Sequence, residues 1–227
     1  MLFFIDTANL DQIQEAYDMG ILDGVTTNPS LMLKEGIGGD EGVMAHYKKI
    51  CEIVPGDVSA EVTSLDTKTM VEQGKRFAGI AENIVVKIPM TLDGVKAIAQ
   101  LTKDDIKTNC TLVFSAGQAL MCAKAGATYV SPFIGRVDDI GWDGTGLIQE
   151  INALYGQQAL TTMILAASIR SPKHITDAAL AGADVVTTPL DPLKKLLNHP
   201  LTDVGLDRFM KDFEASQQFD RSLATAN

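Results

Sequence analysis

Short apolar runs rich in β-branched residues recur along the whole chain, and each is followed by a segment with helix-like spacing of its apolar positions. The runs predict eight strands, over Leu2–Thr7, Gly24–Pro29, Val58–Ser64, Ile84–Met90, Asn109–Ser115, Thr128–Arg136, Met163–Arg170 and Asp184–Leu190. Helix starts carry their own signals. Ser115 and Gln118 have the spacing of a capping box, in which Gln118 reaches back to the cap. Ser171-Pro172 and Asp191-Pro192 each put a capping residue before a proline suited to the first helical position. Gly126 and Gly182, both in Ala-Gly-Ala ahead of a strand, mark helix exits and hint at a repeated αβ unit.

Eight strand–helix units within 227 residues predict an α/β protein, a single (β/α)8 TIM-barrel domain over residues 1–227. An open doubly wound sheet is the alternative, but no GxGxxG or Walker pattern follows any strand. After the last strand, a short helix is predicted around Pro192–Asn198 and an additional C-terminal helix around Asp203–Phe219. The latter is amphipathic through Val204, Phe209, Phe213 and Phe219, which could pack on the barrel or on a neighbouring subunit. The polar tail Asp220–Asn227 is expected to be mobile.

One position breaks the apolar pattern. Lys87 stands inside Ile84-Val85-Val86-Lys87-Ile88-Pro89. An ammonium buried there costs several kcal/mol, on the order of 3–5, unless it is paired or neutral. Side chains alternate along a strand, so if Lys87 faces the barrel interior the other inward positions can be counted. Late in the strands they include Asp6, Thr26, Asn28, Ser59, Glu61, Thr63, Asn109, Thr111, Ser131, Phe133, Ser168 and Arg170, with Arg136 just beyond. A barrel core is ordinarily filled by Val, Ile and Leu. Here the end where such barrels carry their sites reads as a polar cup around one lysine. Each member has a plainer reading taken singly. Asp6 and Asn28 suit helix caps, Thr26 and Thr111 are good strand formers, Lys87 could be a structural partner of Glu61 or Asp6, and Arg136 and Arg170 could be surface ion-pair residues. Six strands obeying one parity argue for the joint reading.

A buried lysine amine beside two carboxylates suits Schiff-base chemistry on a ketone. The protonated imine is an electron sink, one carboxylate takes a hydroxyl proton as a carbon–carbon bond breaks, and the other moves protons while the imine forms and hydrolyses. Arg136 and Arg170 with Ser168 would clamp a small anion such as a phosphate ester.

Composition narrows the setting. The formal net charge is −10, which argues against nucleic acid and anionic membranes as partners. No apolar stretch approaches the ~20 residues of a membrane span, and the N-terminal run is too short for a signal peptide. Cys51, Cys110 and Cys122 lack CxxC spacing and are expected to be buried, reduced thiols of a cytoplasmic protein. His46, His174 and His199 are scattered, so no metal site is expected.

Six segments together are similar to those of transaldolases: Asp6-Thr7-Ala8-Asn9, Gly24-Val25-Thr26-Thr27-Asn28-Pro29-Ser30, Ile84–Pro89, Asn109–Ser115, Ser131–Arg136 and Ala166–Arg170. The chain length resembles that of the short-chain branch, which also holds fructose-6-phosphate aldolases. The resemblance implies a cofactor-free, metal-independent enzyme of the pentose phosphate pathway acting on sugar phosphates. It implies Lys87 as the Schiff-base lysine, Asp6 as base on the C4 hydroxyl, and Glu61 with Thr111 holding a proton-relaying water. It also implies Thr26, Asn28 and Asn109 as contacts to the donor or to the lysine, and Arg136, Ser168 and Arg170 as phosphate ligands. Two positions bear on the choice within the branch. The aldolases typically have glutamine at the position of Glu61 and tyrosine at that of Phe133, so both residues here point to group transfer. Short members form decamers of two pentameric rings, which implies a homo-oligomer in which the C-terminal helix crosses to a neighbour.

Overall fold

A computed structural model describes residues 1–224, with side chains placed through residue 217. Strands and helices alternate as β1 (Leu2–Asp6), α1 (Leu10–Asp18), β2 (Gly24–Thr26), α2 (Pro29–Lys34), α3 (Asp40–Ile53), β3 (Val58–Glu61), α4 (Thr67–Ala78), β4 (Ile84–Pro89), α5 (Leu92–Lys103), β5 (Thr108–Val113) and α6 (Ala116–Lys124). They continue as β6 (Tyr129–Pro132), α7 (Ile134–Asp139), α8 (Gly144–Gln158), β7 (Met163–Ala166), α9 (Pro172–Ala181), β8 (Val185–Thr188), α10 (Leu190–Lys195) and α11 (Pro200–Ala224). The eight strands pair in parallel and in chain order, and β8 pairs with β1 to close the barrel. The predicted fold class therefore stands. The chain resolves into two compact units, the barrel unit Met1–Pro192 and a second unit from Leu193 onward.

The barrel interior is layered. At the lower level Phe4, Val85, Tyr129, Leu165 and Val185 form one buried cluster, with the Phe4 and Tyr129 rings 6.0 Å apart. Gly24, opposite Phe4 in the β1–β2 register, makes room for that ring. A Cβ on Gly24 would lie 2.5 Å from the Phe4 side chain and 2.6 Å from the Asp57 carbonyl. Two residues further along, β1, β2, β4, β6 and β8 present Asp6, Thr26, Lys87, Ser131 and Thr187, and β3 adds Glu61. The period-two alternation of a strand keeps both levels inward, so the change from apolar to polar is a change of height and not of face. Register confirms neighbours at the upper level: Asp6 lies beside Thr26, Glu61 beside Lys87, and Lys87 beside Asn109.

The strands end sooner than the sequence pattern suggests. β3 stops at Glu61 and β2 at Thr26, because the residues beyond enter loops and caps where the ladder no longer continues. Ser115, the expected cap that the strand pattern also took in, lies outside β5 and caps α6 by accepting from the Gln118 amide. Gln118 answers with its side-chain oxygen on the Phe114 amide, one residue ahead of the cap. Arg136 lies on α7 rather than past the end of a strand. Asp191 and Pro192 fall inside α10, not at its entrance. Proline is tolerated in a first turn because the amide it lacks has no intrahelical partner there. α11 begins at Pro200 and runs to Ala224, longer at both ends than the predicted Asp203–Phe219. Leu201, Val204, Leu206, Phe209, Met210 and Phe213 on it are exposed. The Phe219 side chain lies outside the described residues, as do residues 225–227 of the tail expected to be mobile; the part from Asp220 to Ala224 is helical.

Candidate active site

The strand that carries Lys87 is buried from Ile84 to Ile88, and the lysine is 5% exposed. Its Nζ donates to the Thr27 carbonyl at 3.0 Å and lies 3.1 Å from Glu61 Oε2. The sequence placed Lys87 with an acidic partner, and β3 delivers one directly because Glu61 and Lys87 are register neighbours. Such a pair holds the ammonium where an unpaired charge would be costly.

Lys87 borders a small cavity of about 140 Å³ at the C-terminal ends of the strands. Asp6, Thr26, Asn28, Phe133, Arg136 and Ser168 also line it, joined by Ser131, Ala167 and Thr187. The Thr26 hydroxyl donates to Asp6 Oδ1 at 2.7 Å and lies 2.6 Å from the Thr187 hydroxyl. Asn28 serves two purposes: its side chain caps α2 by accepting from the Leu31 amide at 2.9 Å, and it edges the cavity. The capping reading and the cavity reading of Asn28 thus coexist.

Asn109 and Thr111 sit behind this wall. Asn109 is fully buried, donates to the Ser59 hydroxyl at 3.1 Å and accepts from the Ser131 hydroxyl at 2.7 Å. It ties β3, β5 and β6 together beside Lys87. Thr111 is buried with its hydroxyl unpaired by any protein group. It lies next to Leu112, whose left-handed backbone (φ 61°) accompanies a register shift between Cys110 and Val113.

The rim opposite carries the basic group. The Arg136 guanidinium lies 4.9 Å from the Phe133 ring centroid, a cation–π arrangement that fixes its direction, and Phe114 packs edge-on against the same ring. Ser168 reaches the cavity by a different route from the one parity predicts. β7 ends at Ala166, Leu165 and the following Ala167 face inward, and Ser168 turns in through a left-handed backbone (φ 61°). Arg170 does not line the cavity; it is exposed and pairs with Asp139 at 2.7 Å. Gly135 lets α7 approach this turn, since a Cβ there would collide with the Ser168 carbonyl.

Pattern reading overlooked Thr187, Thr27 and Tyr47. Thr187 was within reach of the parity rule: it stands two residues after Val185, an interior position of β8. Thr27 acts through its backbone carbonyl, which carries no side-chain signal. Tyr47 comes from α3, and its hydroxyl pairs with the Thr27 hydroxyl at 2.8 Å and accepts from the Glu61 amide at 3.3 Å. Burial pushes the Tyr47 phenol up to about 12, with the Thr27 hydrogen bond a smaller opposing influence. The phenol therefore stays protonated and braces Thr27 through its hydroxyl and Glu61 through its amide, the two residues whose carbonyl and carboxylate hold Lys87.

A larger cavity of about 360 Å³ lies beside this one, lined mainly by apolar groups such as Met32, Val43 and Phe77 and bordered by Glu61. It contains neither Lys87 nor Asp6, so the smaller cavity, with its convergent polar groups, is the candidate site. Among the described residues no group of three or more His, Cys, Asp or Glu side chains is arranged to hold a metal ion, and no helix is long and apolar enough to cross a membrane. Cys110 and Cys122 are buried against Met90, whereas Cys51 is only half-buried.

Known proteins resemble this chain over nearly its whole length. A sequence model of the family described as Transaldolase/Fructose-6-phosphate aldolase matches residues 3–226. A protein of Bacteroides fragilis named "probable transaldolase" is 60% identical over 214 residues, covering 94% of this chain and 98% of its own. Proteins of the same name from Bacteroides thetaiotaomicron and Cytophaga hutchinsonii are each 59% identical, over 94% and 93% of this chain and 98% and 97% of their own. Among solved structures, a candidate fructose-1,6-biphosphate aldolase from Coccidioides immitis superposes with a TM-score of 0.57 at 12% identity, covering 83% of this chain and 73% of that one. That likeness concerns the fold.

Proposed function

The chain belongs to the transaldolase/fructose-6-phosphate aldolase family, and on that premise we propose that it is a transaldolase working through an imine on Lys87. The observation that carries the reading is the placement of a nearly inaccessible amine, between the Glu61 carboxylate and the Thr27 carbonyl, on the wall of a cavity that also holds Asp6. The Lys87 nitrogen attacks C2 of sedoheptulose 7-phosphate and water is lost, leaving a protonated imine. Asp6 takes the proton of the C4 hydroxyl. The C3–C4 bond breaks, its electron pair flows into the C2–C3 enamine, and erythrose 4-phosphate departs. Glyceraldehyde 3-phosphate then accepts the carbanion, and hydrolysis of the new imine releases fructose 6-phosphate. Glu61 and the otherwise unpaired Thr111 hydroxyl hold the water that moves protons during imine formation and hydrolysis. Arg136 and Ser168 receive the phosphate, and Arg170 joins them by exchanging Asp139 for the ligand. Asn28 and Thr26 contact the sugar hydroxyls, and Asn109 orients the region beside the lysine.

Phe133 favours transfer over simple cleavage. A phenylalanine at the cavity wall has no proton to give the enamine, so the three-carbon unit waits for an aldehyde. The deciding assay follows fructose 6-phosphate consumption with and without erythrose 4-phosphate. Turnover should require the acceptor, and rapid acceptor-free release of dihydroxyacetone would assign the chain to the aldolase branch instead.

The exposed Leu201, Val204, Phe209, Met210 and Phe213 on α11 support assembly into a homo-oligomer, a decamer by family resemblance. Replacing Phe209 and Phe213 by serine should lower the sedimenting mass; an unchanged mass would remove α11 from the contact.

A further inference from the structure

We propose that Thr187 is a positioning residue for the general base, acting through Thr26 and resting on the imine reading above. A threonine hydroxyl has one proton and two acceptor lone pairs. An ionised Asp6 only accepts, so the Thr26 proton is committed to Asp6 Oδ1 at 2.7 Å. The 2.6 Å contact between the Thr26 and Thr187 hydroxyls then needs the Thr187 proton. Bond polarity is thereby fixed: Thr187 donates to Thr26, and Thr26 donates to Asp6.

This chain spans three adjacent strands, β8, β1 and β2, and joins residues 161 apart in sequence. Thr187 is 4% exposed, and Thr26 is 1% exposed. Each hydroxyl polarises the next, which strengthens the bond to the carboxylate in a site partly shielded from water. The geometric effect matters more. With Oδ1 held from the β2 side, the carboxylate plane is set and Oδ2 is the oxygen left to take the C4 hydroxyl proton. Without the Thr187 donor, the Thr26 hydroxyl loses the contact that fixes its rotation, and the carboxylate loses its fixed plane.

The test compares Thr187→Val, which keeps the shape and removes the hydroxyl, with Thr187→Ser, which restores a hydroxyl. Borohydride trapping with fructose 6-phosphate reads imine formation, and steady-state transfer reads the carbon–carbon step. T187V should trap as the unsubstituted protein does, keep KM within about twofold, and lose kcat by roughly 2- to 12-fold, the range of one hydrogen bond between neutral groups. T187S should recover most of that loss. Combined with Thr26→Val, which already severs the chain, T187V should add less than about twofold. An undiminished kcat in T187V overturns the proposal. So does a T187S variant as slow as T187V, which would mean that the methyl packing is what counts, or a full additional loss on top of Thr26→Val. Absence of a trapped adduct in the unsubstituted protein would instead remove the imine reading itself.

Discussion

The two levels of the barrel interior share the strands β1, β4, β6 and β8, with residues two apart along each, and differ in almost every chemical respect. Below, Phe4, Val85, Tyr129, Leu165 and Val185 pack as one apolar cluster. Above, Asp6, Thr26, Lys87, Ser131 and Thr187 share hydrogen bonds and a cavity. The lower level gives the barrel its packing free energy, on the order of 1.5–3 kcal/mol for each large side chain fully buried. The upper level concentrates polar and charged groups whose burial is offset only by their mutual contacts. Rigidity and chemistry are thus separated by height along a strand, and substitutions at the two levels should fail in different ways.

Lys87→Met gives the largest expected effect. Transfer activity should fall by ~10^4-fold or more, as when a nucleophile is removed from a site that acts as a unit. The stability change should stay below the ~3–5 kcal/mol of a fully buried broken pair, because the Glu61 side chain left behind is 17% exposed to water. Activity reduced only tenfold would mean that the amine does not bond to the substrate. Phe4→Ala is the counterpart below. It should cost about 3–5 kcal/mol of unfolding free energy in denaturant titrations, while kcat of the folded protein stays within about tenfold. A kcat loss as deep as that of Lys87→Met would show that the two levels are not separable.

The third effect is smaller and concerns the prop behind the upper level. An unfolded tyrosine ionises near pH 10, whereas the Tyr47 phenol is pushed up to about 12 by burial. The folded state holds its proton more tightly, so the stabilisation is intact below about pH 10 and is lost as pH rises toward about 12. The gap corresponds to roughly 2.7 kcal/mol at most. Tyr47→Phe removes the ionisable group, so the native protein should lose stability relative to the variant across that window. Parallel curves for the two proteins would contradict the assigned burial effect.

The sequence made most of this architecture legible, and its failures have local causes. Strand parity located Asp6, Thr26, Glu61, Lys87 and Asn109 because those residues lie on regular, paired backbone. On β7 it was one residue out of step: Leu165 and the following Ala167 face the interior, and Ser168 lines the cavity because its own left-handed backbone turns it in. Arg170, two residues later, pairs with Asp139 outside the cavity. Arg136 was identifiable by charge but not by element, since the helix carrying it begins right after the bridge at Phe133. Thr27 contributes a backbone oxygen and Tyr47 arrives from a helix, and neither leaves a trace in strand periodicity.

The packed floor also governs traffic. With Phe4, Val85 and Leu165 each inaccessible to solvent beneath Lys87, the proposed reaction has its sugars enter and leave over the rim that Asn28, Arg136 and Ser168 form. On the proposed reaction, the outgoing aldose phosphate must clear that doorway before the incoming aldehyde can pass. The two half-reactions therefore take turns, and between them the enzyme waits with three carbons tethered to its lysine.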